Sequence, residues 1–243
     1  MVKRDRVVIL GVPVDKVTEE ETLARIEAFV ENGRPHQVIT VNPEFVMAAQ
    51  SDARFFRVLK GSDLSLPDGV GLLWAAGFLG APLSERVAGV DTVRGIASLA
   101  TGRGYRLFLL GGAEGVAEAA AMRLEEENPG LKVAGTYAGS PDPKEEEEIV
   151  EMIRAARPHV LLVAYGAPQQ DLWIYRNLGR LGVPVAMGVG GAFDFISGKA
   201  KRAPGWMQRL GLEWLHRLLH EPWRWRRMVA LPKFVWLVLT SSR

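Results

Sequence analysis

Apolar and polar positions alternate in blocks along most of the chain. Val7 to Val12 is an apolar, largely β-branched run that predicts a buried strand. The next block follows the helical period: Leu23, Ile26, Phe29 and Val30 share one face, and Thr18 followed by Glu21 is a capping-box signature at its start. Gln37 to Val41 predicts a short strand stopped by Asn42 and Pro43. One helical stretch runs from about Glu44 to Lys60, and Leu64 and Leu66 mark a strand ahead of Pro67, Asp68 and Gly69. Leu72 to Leu79 predicts a buried helix, because nearly every position is apolar, and Val90 to Ala100 predicts another.

From Tyr105 the alternation is regular. Strands are predicted over Arg106–Leu110, Lys132–Tyr137, Val160–Tyr165 and Pro184–Val189, with helices between them over Val116–Glu127, Pro143–Ala156 and Gln169–Leu181. Such alternation builds βαβ units, so the expected fold class is α/β: a Rossmann-like parallel sheet flanked by helices. After Gly198 the pattern changes. Trp206 to Leu219 predicts one amphipathic helix, and Pro222 suits the first turn of a next one. The last apolar stretch, Leu231 to Leu239, is short and interrupted by Pro232 and Lys233. No apolar run approaches the roughly 20 residues needed to span a bilayer, although this end suits an interface. The expected division is a catalytic α/β body over 1–198 and a helical appendage over 199–243.

Charge sharpens that division. The 243 residues carry a net charge of only +2, yet Lys199 to Arg243 holds ten basic and two acidic residues, which leaves −6 for the rest. Five of the seven tryptophans (Trp206, Trp214, Trp223, Trp225 and Trp236) lie in the same basic segment. An acidic body joined to a basic, aromatic end suits a polyanion or an anionic membrane surface. The absence of cysteine removes disulfide frameworks, thiolate metal sites and thiol nucleophiles, and is compatible with the cytoplasm.

Candidate chemistry concentrates where strands end. Gly111 and Gly112 close one strand ahead of a helix, and Gly190 and Gly191 follow another; an open α/β sheet admits phosphate-bearing ligands at such places. A plain strand-to-helix turn explains Gly111 and Gly112 equally well. Neither run is GxGxxG, and no acidic residue follows at ribose-holding distance, which counts against a dinucleotide-dependent oxidoreductase. Asp68 can act as a general base if a hydroxyl reaches it; on spacing alone a turn or cap role is the stronger reading. Thr40, Asn42 and Glu44 suit a polyhydroxy ligand or a strand stop and helix cap. Gln169 and Gln170 form another polar pair at a strand end, and Asp194, between Phe193 and Phe195, needs a partner if buried. His36 and His159 stand apart, and Glu213, His216 and His220, although at metal-ligand spacing, sit in a basic face. No metal and no other cofactor is therefore expected. Arg217, Arg224 and Arg227 offer guanidinium forks that match phosphate geometry. RNA binding is a competing use of such a segment, but the apolar Val235–Leu239 end argues for lipid, so no nucleic-acid partner is expected.

Several of these residues occur in motifs that together resemble the WecG/TagA/CpsF glycosyltransferases (glycosyltransferase family 26) across nearly the whole chain. The carriers are Thr40–Glu44, Leu66–Gly71, Glu85–Asp91, Leu110–Gly112, Gly166–Asp171, Gly188–Asp194, Lys201–Pro204 and Gly211–Leu215, in matching order. The resemblance implies inverting, metal-independent transfer from a UDP-sugar donor to polyprenyl-diphosphate-linked N-acetylglucosamine, in teichoic acid or other surface-polymer synthesis. N-acetylmannosamine is the expected sugar, with its uronic acid, glucose and galactose as the alternatives. It also implies a base at Asp68; pocket residues at Thr40, Asn42, Arg86 and Gln170, with Gln169 as Gln170's rival; and membrane docking by an appendage whose Arg217, Arg224 and Arg227 meet the diphosphate. Gly111, Gly112, Gly190, Gly191 and Asp194 complete the expected substrate contacts. The expected place of work is the cytoplasmic face of the membrane, and a homo-oligomer is compatible with all of this.

Overall fold

The computed structural model describes residues 5–209, 211–220 and 229–241, the side chains of Arg209 and Arg217 excepted. The first apolar run is a hairpin rather than one strand: β1 (Arg6–Ile9) pairs antiparallel with β2 (Val12–Asp15). The chain turns at Leu10 and Gly11, both at positive φ (48° and 83°), the turn geometry that matches strand twist. An apolar Leu10 carries no turn signal, so the run reads as continuous. Asp15 is fully buried; it accepts the Ser65 N–H (2.8 Å) and pairs with Arg6 and Arg25. The hairpin thereby covers an edge strand that would otherwise be open.

Six strands form the main sheet: β3 (His36–Val41), β4 (Leu64–Pro67), β5 (Arg106–Gly111), β6 (Lys132–Tyr137), β7 (Val160–Ala164) and β8 (Val185–Gly188). Every pairing is parallel, and the order is β4-β3-β8-β7-β5-β6. Successive residues point to opposite faces. Val38, Met187, Leu162 and Leu109 pack on one side with α1 (Glu19–Asn32), α5 (Gly89–Arg103) and α6 (Val116–Glu127). Ile39 and Val41 face α2 (Pro43–Ser51), α3 (Ala53–Gly61) and α4 (Val70–Phe78), while Leu161, Val163 and Phe108 face α7 (Glu146–Ala156) and α8 (Gln169–Leu181). This is the three-layer α/β arrangement expected, with near-continuous apolar strands covered on both faces. The capping box of α1 is realised: the Glu21 N–H donates to Thr18 Oγ1 and the Thr18 N–H to the Glu21 carboxylate.

Three expected helices differ. The stretch from Glu44 to Lys60 divides at Asp52, whose carboxylate accepts from the Arg54 and Phe55 N–H groups and so caps α3. α4 buries only Leu72, Ala75 and Ala76 and leaves Val70, Trp74 and Phe78 exposed. After the short α9 (Ala192–Ile196), the expected helix over Trp206–Leu219 is broken into α10 (Gly205–Arg209) and α11 (Glu213–His220) at Gly211, which sits at φ 71°. A Cβ on Gly211 would lie 2.5 Å from Val70, so this turn presses directly on α4. The last helix, α12 (Ala230–Ser241), contains Pro232 in its first turn, where no intrahelical N–H is needed. Pro222 lies outside the described residues. Phe234 and Val238 of α12 are buried in the same core as Val46 and Leu72. Among the described residues, no helix is long and apolar enough to cross a membrane.

Candidate active site

The register of the sheet assembles the site. Val41 pairs with Pro67, so the next residues, Asn42 and Asp68, leave the carboxyl edge side by side, and the Asp68 N–H donates to the Val41 carbonyl (2.8 Å). β8 lies on the other flank of β3, with Ile39 opposite Gly188, which brings Gly190 and Gly191 to the same edge. A cavity of about 760 Å³ opens here, beyond the strand ends, where open α/β sheets bind their ligands. Thr40, Asn42, Asp68, Arg86 and Gln170 all line it, as do Gly112, Gly190, Gly191 and Asp194.

Asp68 is crowded yet reachable: about a third of its side chain (32%) remains open to the cavity. Arg86 Nε stands 4.0 Å from Asp68 Oδ1, and the Gly89 N–H at the start of α5 points to Oδ2 at 3.5 Å. A Cβ at Gly89 would lie 3.2 Å from Thr40 Cγ2, a tight contact that brings the start of α5 close against β3. Desolvation pushes the Asp68 carboxyl up to about 6, against the opposing pull of Arg86 and the Gly89 N–H; Glu213 and Asp91 push it the same way as burial. A carboxyl so tuned is ionised at pH 7 and basic enough to take a hydroxyl proton.

The other residues divide by what already holds them. Asn42 caps α2, its Oδ1 accepting from the Phe45 N–H (2.9 Å), so its amide N–H groups are the ones free to meet a ligand. Thr40 Oγ1 donates to the Gly188 carbonyl at 3.4 Å. Gln170 is buried, and its Oε1 accepts from the backbone N–H groups of Gly166 (3.2 Å) and Gly190 (2.9 Å), tying the loops after β7 and β8 together. Gln169 is exposed and lies outside the cavity. Gly111 is likewise outside: its backbone packs against Ala164, where a Cβ would come within 2.8 Å. Arg217 is placed on α11 by its backbone only, and Arg224 and Arg227 lie outside the described residues. Among the described residues, no three His, Asp or Glu side chains converge as a metal site.

In the sequence Glu213 is marked by its spacing from His216 and its place in the Gly211–Leu215 motif, and neither points to Arg86. Glu213 lines the cavity from the appendage, and its carboxylate accepts from Arg86 Nη2 (2.7 Å) and from Arg202 Nε (3.1 Å). The available signal is its sign: it is one of two acidic residues after Gly198. Beside Glu213, Trp214 lines both the cavity and an apolar groove that continues along Leu231, Val235, Trp236 and Leu239.

Asp171, in the first turn of α8, is fully buried, and neither carboxylate oxygen has a hydrogen-bond partner among the described residues. Burial pushes its carboxyl up to about 7. An acid raised above its unfolded value of 3.8 holds in the native state a proton that the unfolded chain releases, so native stability falls as pH rises from about 4 to 7. Asp171→Asn removes that dependence. Its melting temperature minus the parent's should grow across this window by on the order of 10 °C and level off above it. Thermal melts at four pH values check this, and a flat difference contradicts it.

The comparisons with known proteins agree with one another. Residues 7–243 match the model of the "Glycosyl transferase WecG/TagA/CpsF family". A relative from Bacillus spizizenii, named N-acetylglucosaminyldiphosphoundecaprenol N-acetyl-beta-D-mannosaminyltransferase, is 37% identical over 85% of this chain and 79% of its own. The protein of the same name from Bacillus subtilis is 36% identical over 85% and 80%. A third, from Staphylococcus aureus, is 30% identical over 98% and 94%.

Proposed function

The chain belongs to the glycosyl transferase WecG/TagA/CpsF family, and from that premise we propose that it transfers N-acetylmannosamine from UDP-N-acetylmannosamine to polyprenyl-diphosphate-linked N-acetylglucosamine, with inversion at the anomeric carbon. The names of the relatives, at 30–37% identity over most of the chain, support this donor sugar and acceptor. The observation that carries the mechanism is Asp68, a partly open carboxyl beside Arg86 at the sheet's carboxyl edge.

In the step proposed, the acceptor hydroxyl attacks the anomeric carbon as the bond from that carbon to the UDP oxygen breaks. The hydroxyl proton passes to Asp68, and the bonding pair leaves with UDP. Charge grows on the departing diphosphate, and Arg86 stands in the same cavity to meet it. Arg217, Arg224 and Arg227 join it by family resemblance. Asn42, with its amide N–H groups free, suits a sugar hydroxyl, and Gln170 holds the two loops that shape the cavity wall.

The lipid end of the acceptor suits the opposite side of the cavity. The apolar groove between α11 and α12 leads away from it, and Val70, Trp74 and Phe78 of α4 are exposed with Trp214, Trp236 and Leu239 of the appendage. Such an apolar, aromatic surface beside a segment of charge +8 suits the interface of an anionic membrane. We assign the protein to the cytoplasmic face of the membrane, held there by this surface, with residues 199–243 as its docking unit.

A panel of UDP-sugars tests the reading, offered with a short-chain prenyl-diphosphate N-acetylglucosamine acceptor in excess chelator and read by product mass. The expected product gains one N-acetylhexosamine from UDP-N-acetylmannosamine. Preference for another sugar corrects the donor, and a strict need for added Mg²⁺ or Mn²⁺ overturns the metal-independent mechanism.

A further inference from the structure

We propose that Glu213 is a positioning residue that latches the appendage onto the active site and holds Arg86 beside Asp68; the inference rests on the transfer reaction proposed above. Neither the relatives' names nor the sequence motifs assign it a role.

Five side chains of alternating sign form one ladder. Asp68 faces Arg86 Nε at 4.0 Å, and Arg86 Nη2 donates to Glu213 Oε2 at 2.7 Å. Glu213 Oε1 accepts from Arg202 Nε at 3.1 Å, and Arg202 closes on Asp91 with two hydrogen bonds of 2.5 and 2.6 Å. Both ends of the ladder, Asp68 and Asp91, lie at the first turn of α5, while Glu213 and Arg202 belong to the appendage. Among the described residues, Glu213 is the side chain to which Arg86 is hydrogen-bonded, since Asp68 stands beyond hydrogen-bond reach. The position of the arginine proposed to meet the leaving diphosphate is therefore set by a residue of the appendage. The side chains of Arg86, Glu213 and Arg202 are each no more than 20% exposed, so water competes weakly for these contacts. The turn at Gly211, pressed on Val70, seats α11 so that Glu213 and Trp214 enter the cavity together. An unseated Glu213 leaves Arg86 without its anchor.

The charged and polar groups facing Asp68 make this separable from a fold-stabilising role. Arg86 and the Gly89 N–H favour its ionised form, whereas Glu213 and Asp91 disfavour it. Glu213→Gln keeps the shape but frees Arg86, whose pull on Asp68 outweighs the push from Glu213, so Asp68 should ionise at higher pH. The full-length variant is compared with the parent, using UDP-N-acetylmannosamine and the short-chain prenyl-diphosphate acceptor, by kcat against pH. Trypsin cleavage after Lys199 and thermal melting are followed on the same samples. We expect kcat to fall about 10- to 100-fold, the acid limb to move to higher pH, tryptic cleavage of the appendage to quicken, and the melting temperature to hold. An acid limb that stays put or moves to lower pH overturns the proposal whatever kcat does, and so does an unchanged tryptic pattern. If the parent itself forms no product, the transfer reading fails, and the tryptic comparison still decides whether Glu213 latches the appendage.

Discussion

Asp68→Asn should lose roughly 10²–10⁴ of the parental kcat, the range a positioned general base supplies. The amide keeps the size of the carboxylate and cannot take the acceptor proton at neutral pH. Because the base acts in the transition state rather than in donor binding, the KM for UDP-N-acetylmannosamine should stay within a few-fold of the parent's. The fold should survive. Burial disfavours the charged form of Asp68 and raises its carboxyl to about 6, so a neutral side chain there relieves a desolvation cost instead of adding one. The parent carries the matching signature in pH. Its base must be ionised, so kcat/KM should be level above about pH 7 and fall tenfold per unit below the Asp68 value near 6. That limb should vanish in Asp68→Asn. Turnover within tenfold of the parent, or an acid limb that survives the substitution, removes Asp68 from the role.

The elements legible in the chain are those whose signal is local. α6, α8 and β6 begin and end where the sequence pattern places them, because the signals that bound each are local. The misread elements hide a break inside an apolar or helical pattern. Leu10 conceals the hairpin, Asp52 caps α3 in the middle of a helical stretch, and Gly211 at φ 71° ends α10 where the amphipathic pattern continues. α4 is apolar all round but buried on one face only, since burial depends on what packs against it. The same division runs through the site. Thr40, Asn42, Asp68, Arg86 and Gln170 stand out as motif residues, but their meeting in one cavity depends on strand order. β3 has to lie between β4 and β8, although β8 follows it by more than 140 residues. Gln170 shows its loop-tying role only once Gly166 and Gly190 are brought to it, and Glu213 only once the appendage folds back on Arg86. Contacts between distant segments have no period to read.

Deleting residues 199–243 should abolish transfer to a membrane-embedded acceptor and lower the stability of what remains. The first loss follows from chemistry: the deletion takes Glu213 and Arg202 from the ladder, Trp214 and Val235 from the cavity wall, and with them the basic aromatic segment proposed to meet the membrane. The second follows from packing. Phe234 is 1% exposed and Val238 fully buried, in the core that also holds Ile39, Val46 and Leu72. Removing a buried phenylalanine to Ala costs about 3–5 kcal/mol, a large share of the roughly 5–15 kcal/mol that holds a domain folded. Phe234→Ala alone should therefore lower the melting temperature by about 10 °C, with the deletion lower still. The two effects separate in the point variant. Phe234→Ala keeps every charge of the appendage, so below its melting point it should still sediment with anionic vesicles, while the deleted chain should not. A deleted chain that melts with the parent would show that α12 adds nothing to the core. One that still binds anionic vesicles as the parent does would place the membrane contact on the body, where the exposed face of α4 is the surface left to make it.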